Sequence, residues 1–374
     1  MSRVLILATS PKTKGGISSV IKAHQKGPQW QTYNCKWIAT HIDKGVMCKA
    51  VVLLKGFIEY VFFLPGSDLI HIHISEPTTA KRKLPFFRLA KLFKKKIIIH
   101  FHSFSPDTTI NGPHSELYKT LFCGADAVVV LSNYWKEAVN NKFQLGERVK
   151  VIYNPCIDAE YNEVYEKENS ILYAGALNQR KGYSDLIKAF SMVSEKFPMW
   201  KISFAGNGEI EEARSLAENL GILNQVELLG WVSGKEKDRA YKKATVFCLP
   251  SYAEGFPMAV LDAWAYGLPV ITTPVGGIPD IAQDGQNMLL FKPGDTKQLA
   301  DCIERMICGE GLRKTMAEES LRLSQTTFNI NTIDKQVGDL YAEVLNKVEN
   351  TPPQLVFSLS YLHRNGGYVL HNAA

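Results

Sequence analysis
The residues of this chain best placed for chemistry are two carboxylates around a glycine-proline turn: Glu254 in the run Ser251-Tyr-Ala-Glu-Gly-Phe-Pro257, and Asp262 eight residues on. The apolar run Ala244–Leu249 before them reads as a buried strand, and Gly267-Leu-Pro-Val-Ile271 leads from a helix into another strand. Pro257 suits the first helical position, where its missing N–H costs nothing, and Gly255 lets the backbone come close to a ligand. Strand, loop, helix and strand is the form in which open α/β sheets bind nucleotides at the carboxyl ends of their strands, a helix N-terminus facing the anion. The alternative for the pair is local, with Glu254 as a helix cap and Asp262 as a solvated first-turn acid favoured by the macrodipole. A second glycine pair, in Gly276-Gly-Ile-Pro-Asp280, is read as the start of the next helix.

Further constellations sit at other predicted strand ends. Gly15-Gly16 follows the first strand and precedes a helix, so its backbone N–H groups either hold a phosphate or belong to an ordinary loop. His100 and His102 end the strand at 97–101 and share one side of it by the period of two. They read as a metal pair only if other ligands join them, and no nearby Asp, Glu or Cys completes a set. His71 and His73, on the preceding strand, read as structural. Tyr173-Ala-Gly-Ala-Leu-Asn-Gln-Arg-Lys-Gly182 joins a strand to a helix and puts Lys181, a flexible cation beside a glycine, where a diphosphate binds. Gly206-Asn-Gly208 is another strand-end glycine turn.

With these residues in place, the stretch from 170 to 295 resembles the retaining GT-B glycosyltransferases of family 4, the glycosyl transferases of group 1. Their signature is a Glu, seven residues and a second Glu, and here the second position is Asp262. Over the first half only Gly15-Gly16, His102 and Asn154-Pro155 match. The resemblance implies an α/β, GT-B fold: two Rossmann-like domains facing a cleft. Residues 1–165 would bind the acceptor and 166–350 the nucleotide sugar, with a final helix packing back on the first domain and 351–374 unassigned. It implies a site in which Gly15 and Gly16 close over the donor diphosphate and His102 and Glu254 are catalytic beside the transferred sugar. Lys181 would hold the pyrophosphate, Gly255, Phe256 and Pro257 would line the donor, and Asp262 would accept hydrogen bonds from the ribose. The family's second cation, an arginine, falls on Ala176, and Arg180 is the candidate to replace it. The implied function is transfer of a sugar from a nucleoside diphosphate sugar to an acceptor hydroxyl, with retention, in bacterial surface polysaccharide or glycolipid assembly. No cofactor or metal is expected, because the nucleotide sugar is itself the substrate. The departures at Ala176 and Asp262 keep two alternatives open, a GT-B sugar-nucleotide epimerase and a catalytically silent binding subunit.

The elements that must position these residues alternate strand and helix in both halves. The first half has strands at 4–8, 69–74, 97–101 and 127–131 with helices near 18–24 and 51–64; the second has strands at 171–174, 201–205, 226–228, 245–249 and 270–272. Asn154-Pro155 and the polar stretch Asp158–Ser170 read as a linker. A chain of 374 residues exceeds one ordinary core, and its 45% hydrophobic and 21% charged content is that of a soluble globular protein. Residues 1–165 hold 22 Lys+Arg against 12 Asp+Glu, a net of +10, whereas residues 166–374 hold 21 against 25, a net of −4. The two halves are therefore expected to meet different partners. The seven cysteines lack metal-ligand spacing, and an odd count without a signal segment fits a reducing cytoplasm. Val51–Leu64 is the most apolar stretch, but Lys55 and Glu59 interrupt it and it falls short of the roughly 20 residues of a membrane span, so a core helix is expected. Lys81–Lys96 carries eight cations and no acid, interleaved with Phe86, Phe87 and Phe93. It reads either as a solvated helix face backed by core or as a contact for an anionic membrane surface at the inner face of the plasma membrane, and no nucleic-acid motif accompanies it.

Overall fold
The computed structural model describes residues 2–13, 15–157, 159 and 165–346. The tail from Thr351 and, in the expected linker, residues 158 and 160–164 lie outside the described residues.

The first domain is a parallel sheet built from short strands, the central ones buried on both faces. It comprises β1 (Val4–Ala8), α1 (Gly16–His24), α2 (Pro28–Thr32), β2 (Lys36–Ala39), α3 (Val46–Phe63), β3 (Leu69–Ile74), α4 (Pro77–Leu92), β4 (Lys96–Phe101), α5 (Ser115–Cys123), β5 (Ala127–Val130), α6 (Asn133–Phe143) and β6 (Val149–Val151). The strand order is β2-β1-β3-β4-β5-β6. The second domain repeats the plan: β7 (Ser170–Ala174), α7 (Tyr183–Ser191), β8 (Lys201–Ala205), α8 (Ile210–Asn219), β9 (Val226–Gly230), α9 (Lys235–Lys243), β10 (Val246–Leu249), α10 (Met258–Ala265), β11 (Val270–Thr272) and β12 (Leu289–Leu290). Its order is β12-β11-β10-β7-β8-β9, again parallel throughout. Helices α11 (Thr296–Cys308), α12 (Glu310–Gln325) and α13 (Ile330–Asn346) follow. Parallel sheets need cover on both faces, which is why the strands read as unbroken Val, Ile and Leu runs.

One core fills the second domain. The first sheet has two, and on one of its faces Ile333, Val337, Leu340, Tyr341 and Val344 of α13 pack with Val4, Ile6, Leu69, Ile98 and Val129. The last helix thus crosses back onto the first domain. A buried carboxylate fixes the join, since Asp334 Oδ1 lies 2.7 Å from His24 Nδ1 and accepts from Gln29 Nε2 at 2.7 Å.

Three expectations need correction. The apolar run at 51–64 is not a core helix: α3 buries only Gly56 and Tyr60 and turns most of its large apolar side chains to solvent. It follows the edge strand β2, so only one side of it finds a sheet to cover. In the basic stretch on α4, Lys83 is fully buried and donates its ammonium N–H to the His73 carbonyl. The glycine pair at 276–277 opens a short 3-10 turn, Ile278–Asp280, rather than a longer helix.

Candidate functional site
The carboxyl end of β7 positions the cations. After Ala174 the chain runs into a 3-10 turn, Gln179–Lys181, capped by Asn178, whose Oδ1 accepts from Lys181 N at 3.1 Å. Gly182 follows with φ 68°, and a Cβ on it would lie 2.0 Å from the Pro250 carbonyl oxygen. Only glycine lets this loop close on the end of β10. The closure brings Lys181 Nζ to 2.5 Å from Glu254 Oε1, which also accepts from Ser251 Oγ at 2.7 Å, while Arg180 Nη1 lies 3.6 Å from Oε2. Arg180 is further held by the Ala253 carbonyl at 2.6 Å and stacks 4.7 Å over the Phe104 ring of the first domain. Ala176 contributes only its carbonyl, which accepts from Tyr173 Oη at 2.8 Å. Two cations share one carboxylate that is 6% exposed, so the cluster keeps net positive charge at the mouth of the sheet. That surplus suits a diphosphate.

Asp262 sits in the second turn of α10, one helix turn past Pro257, which is the cap residue rather than the first helical one. It is 7% exposed, so it is not a solvated acid, and Glu254 makes no capping bond to the helix. Lys237 Nζ, from α9, donates to Asp262 Oδ2 at 2.6 Å, and Oδ1 has no hydrogen-bond partner among the described residues. Burial raises the Asp262 pKa above its ordinary value, and Lys237 offsets this only in part. A raised folded-state pKa means that the charged form costs folding free energy, a cost absent below the unfolded value of about 3.9 and complete once pH exceeds the folded value. Asp262→Asn is therefore expected to raise the melting temperature at neutral pH, with the gain vanishing as pH falls through the carboxylate range. Thermal denaturation across pH checks this.

The first domain faces the same turn. A Cβ on Gly255 would lie 2.6 Å from the Ser103 carbonyl oxygen, and one on Gly16 would lie 3.6 Å from Met258 Cγ at the start of α10. The Gly15-Gly16 loop and the end of β4 thus meet the turn before α10 across the cleft. Phe256 packs its ring between Tyr153, with centroids 5.2 Å apart, and Phe328 at 5.8 Å, where the domains join. Asn154 Nδ2 donates to the Phe256 carbonyl at 3.2 Å.

His102 ends a column of imidazoles. The parallel register sets His73 beside His100, and the rings of His71, His73, His100 and His102 stack with neighbouring centroids 4.3 to 5.3 Å apart. His102 Nε2 lies 2.9 Å from His73 Nδ1, and His71 Nδ1 lies 2.7 Å from Tyr341 Oη. Burial, with Lys83 and His24 adding, pushes the His102 pKa down to about 3, so its ring is neutral at physiological pH. One nitrogen from each of His71, His73 and His100 lies within 4.8 Å of the others. Stacking opposes a metal there, because an ion must lie in the plane of every ring that binds it.

The structure thus brings Arg180, Lys181 and Glu254 into one cluster on the second domain, Asp262 nearby on α10, and Gly15, Gly16 and His102 on the opposite wall. Sequence reasoning missed Ser251 and Lys237, and it read His73, which lies 2.9 Å from His102, as structural. Ser251 sat inside the quoted motif, and a polar residue three before Glu254 was the available signal.

Two six-stranded parallel sheets whose carboxyl ends face one cleft, with a cation-carboxylate cluster on the second, define the GT-B class. Residues 158–322 match the family model described as glycosyl transferases group 1. An uncharacterized glycosyltransferase of Methanocaldococcus jannaschii is 31% identical over 270 residues, spanning 70% of this chain and 71% of the relative. A second from that organism is 29% identical over 231 residues, 57% of this chain and 59% of the relative. An α-1,4-N-acetyl-D-galactosaminyltransferase of Campylobacter jejuni, named for a diphosphoundecaprenol-linked GalNAc acceptor, is 28% identical over 233 residues, 60% of this chain and 62% of the relative. The chain therefore spans less than two thirds of the length of several relatives. Among solved structures, Anabaena HepE in complex with UDP shares the fold, with TM-score 0.74 at 18% identity over 91% of this chain and all of that one. The chain belongs to the glycosyl transferases group 1 family.

Proposed function
We propose that the protein transfers a sugar, with retention, from a nucleoside diphosphate sugar to an acceptor hydroxyl. The observation that carries this is the net positive Arg180, Lys181 and Glu254 cluster beside a buried, half-unpaired Asp262. The leaving diphosphate gains negative charge as the bond to the sugar breaks, so Lys181, Arg180 and the N-terminus of α10 stabilise the transition state more than the ground state. Asp262 Oδ1 accepts from the ribose, and Glu254 holds the sugar hydroxyls. His102, kept neutral, places a dipole rather than a charge beside the oxocarbenium-like sugar. The acceptor oxygen attacks C1 on the face the leaving phosphate occupies, and its proton passes to the departing phosphate oxygen. UDP and UDP-glucose complexes of HepE support the donor class.

The acceptor is lipid-linked and the protein works at the inner face of a membrane, a reading supported by the +10 balance of residues 1–165 and the undecaprenol-linked acceptor of the Campylobacter relative. Exposed Lys81, Arg88, Lys91 and Lys94 each add about 1 kcal/mol near an anionic surface.

Incubation with UDP-, GDP- and ADP-sugars tests the reaction. One donor should release its nucleoside diphosphate only when an acceptor is present, and at the same rate in EDTA, because the cluster rather than a divalent ion offsets the diphosphate. Release that stops in EDTA and returns with Mn²⁺ contradicts metal independence. Conversion of the donor sugar without an acceptor favours an epimerase.

A further inference from the structure
The helix α3 carries an apolar stripe that no other described residue covers. Met47, Val51, Leu54, Ile58 and Phe62 recur at helical spacing and are 78%, 61%, 62%, 61% and 77% exposed. The stripe runs along about 22 Å of helix at about 1.5 Å per residue, too short to cross a bilayer core of about 30 Å. The opposite side is fixed to the body: a Cβ on Gly56 would lie 2.1 Å from the Ala39 carbonyl oxygen, and Tyr60 Oη donates to the Phe86 carbonyl at 2.9 Å. The stripe therefore faces outward by construction and cannot turn inward without losing Tyr60.

The charge that flanks it is basic. Lys55 is exposed beside the stripe and has no carboxylate partner among the described residues, while the single acid of α3, Glu59, is taken by Lys36 at 2.9 Å. The end of α4 adjoins the end of α3, where Lys95 Nζ donates to the Pro65 and Ser67 carbonyls at 2.9 and 2.7 Å, and it adds exposed Leu92, Phe93 and Lys94. An anionic bilayer meets both features, taking the stripe among its acyl chains and the lysines at its phosphates.

We propose that α3 is a membrane-docking element that lies in the plane of an anionic bilayer, with Met47, Leu54, Ile58 and Phe62 inserted. The loop before α3 is tied to the loop after β1, since the His41 carbonyl accepts from Ser10 N at 2.7 Å. Docking there sets the bilayer beside the approach to Gly15-Gly16, so a lipid-linked acceptor enters the cleft sideways. That last consequence rests on the transferase reading, whereas the docking itself does not.

Vesicle flotation of the full chain tests it, with phosphatidylcholine alone and with phosphatidylglycerol added, at low and high salt. The probes are wild type, a Leu54→Ser, Ile58→Ser, Phe62→Ser variant and a Lys55→Glu, Lys94→Glu variant. Wild type should float with the anionic vesicles. The serine variant should lose about tenfold or more of its partitioning at both salt levels, and the glutamate variant should lose mainly the salt-sensitive part. Both should keep the wild-type melting temperature and nucleotide binding, so a failure of the donor reading leaves the flotation result intact. Unchanged flotation of the serine variant, or none by wild type, overturns the proposal. So does a wild-type dimer in sedimentation equilibrium that the serine variant makes monomeric, since the face then belongs to a second copy.

Discussion
Replacing Glu254 by Gln is expected to lower turnover by on the order of 10² to 10³ while free nucleoside diphosphate binds at least as tightly as before. The Glu254 carboxylate holds Lys181 at 2.5 Å and faces Arg180 at 3.6 Å. The glutamine side chain has the same shape but no charge, and with Oε1 as its single acceptor its Nε2 amide must face a cation or Ser251. Lys181 is then freer to meet a diphosphate, so nucleotide affinity does not fall. The hydroxyls of the transferred sugar lose a charged acceptor that no neighbouring side chain replaces, so the chemical step suffers. Steady-state turnover with the preferred donor, set beside calorimetry with the nucleotide alone, separates the two effects. A parallel loss in both would mean that Glu254 serves the nucleotide rather than the sugar.

Lys181→Ala is expected to do the reverse and weaken the nucleoside diphosphate by about 1.5 to 3 kcal/mol, or roughly ten- to 150-fold. The loss is in the diphosphate, so the nucleoside alone should bind equally well to both proteins. Arg180 already lies close to Glu254 and is stacked on Phe104, which pre-positions it to carry part of the role left vacant at Ala176. Arg180→Ala should therefore cost less than Lys181→Ala, and the two together should cost more than their sum, because the second loss leaves Glu254 buried without any cation. Calorimetric titrations of the three variants measure this. A normal affinity in Lys181→Ala would remove the diphosphate from this cluster.

The central strands were legible in the sequence because a parallel sheet covered on both faces demands unbroken apolar runs, as in Val4–Ala8 and Leu69–Ile74. The strands that escaped, β2, β6 and β12, lie at sheet edges and are only two to four residues long, so they carry little apolar pattern. Hydropathy marked α3 but could not say which way it faces, since an apolar run looks alike against a core and against a membrane. Lys83 was equally opaque: among eight cations nothing singles out the one that points inward. In the site, Glu254 and Lys181 were visible because glycines and turns mark the ends of their strands. Lys237 was not, for it is one charge among several in Lys235-Glu-Lys-Asp-Arg239, and only the packing of α9 beside α10 selects it. The imidazole column was half visible as two alternating pairs, and the register between β3 and β4 joined them.

The transferase reading requires the donor to lie on the second domain's wall of the cleft. A crystal structure of the protein soaked with the nucleoside diphosphate that raises its melting temperature most answers this directly. The diphosphate should lie against Lys181 Nζ and the N-terminus of α10, with a ribose hydroxyl on Asp262 Oδ1. A nucleotide held instead at the carboxyl ends of β1 to β4, with Lys181 still bound to Glu254 and Asp262 Oδ1 still unpaired, would contradict it.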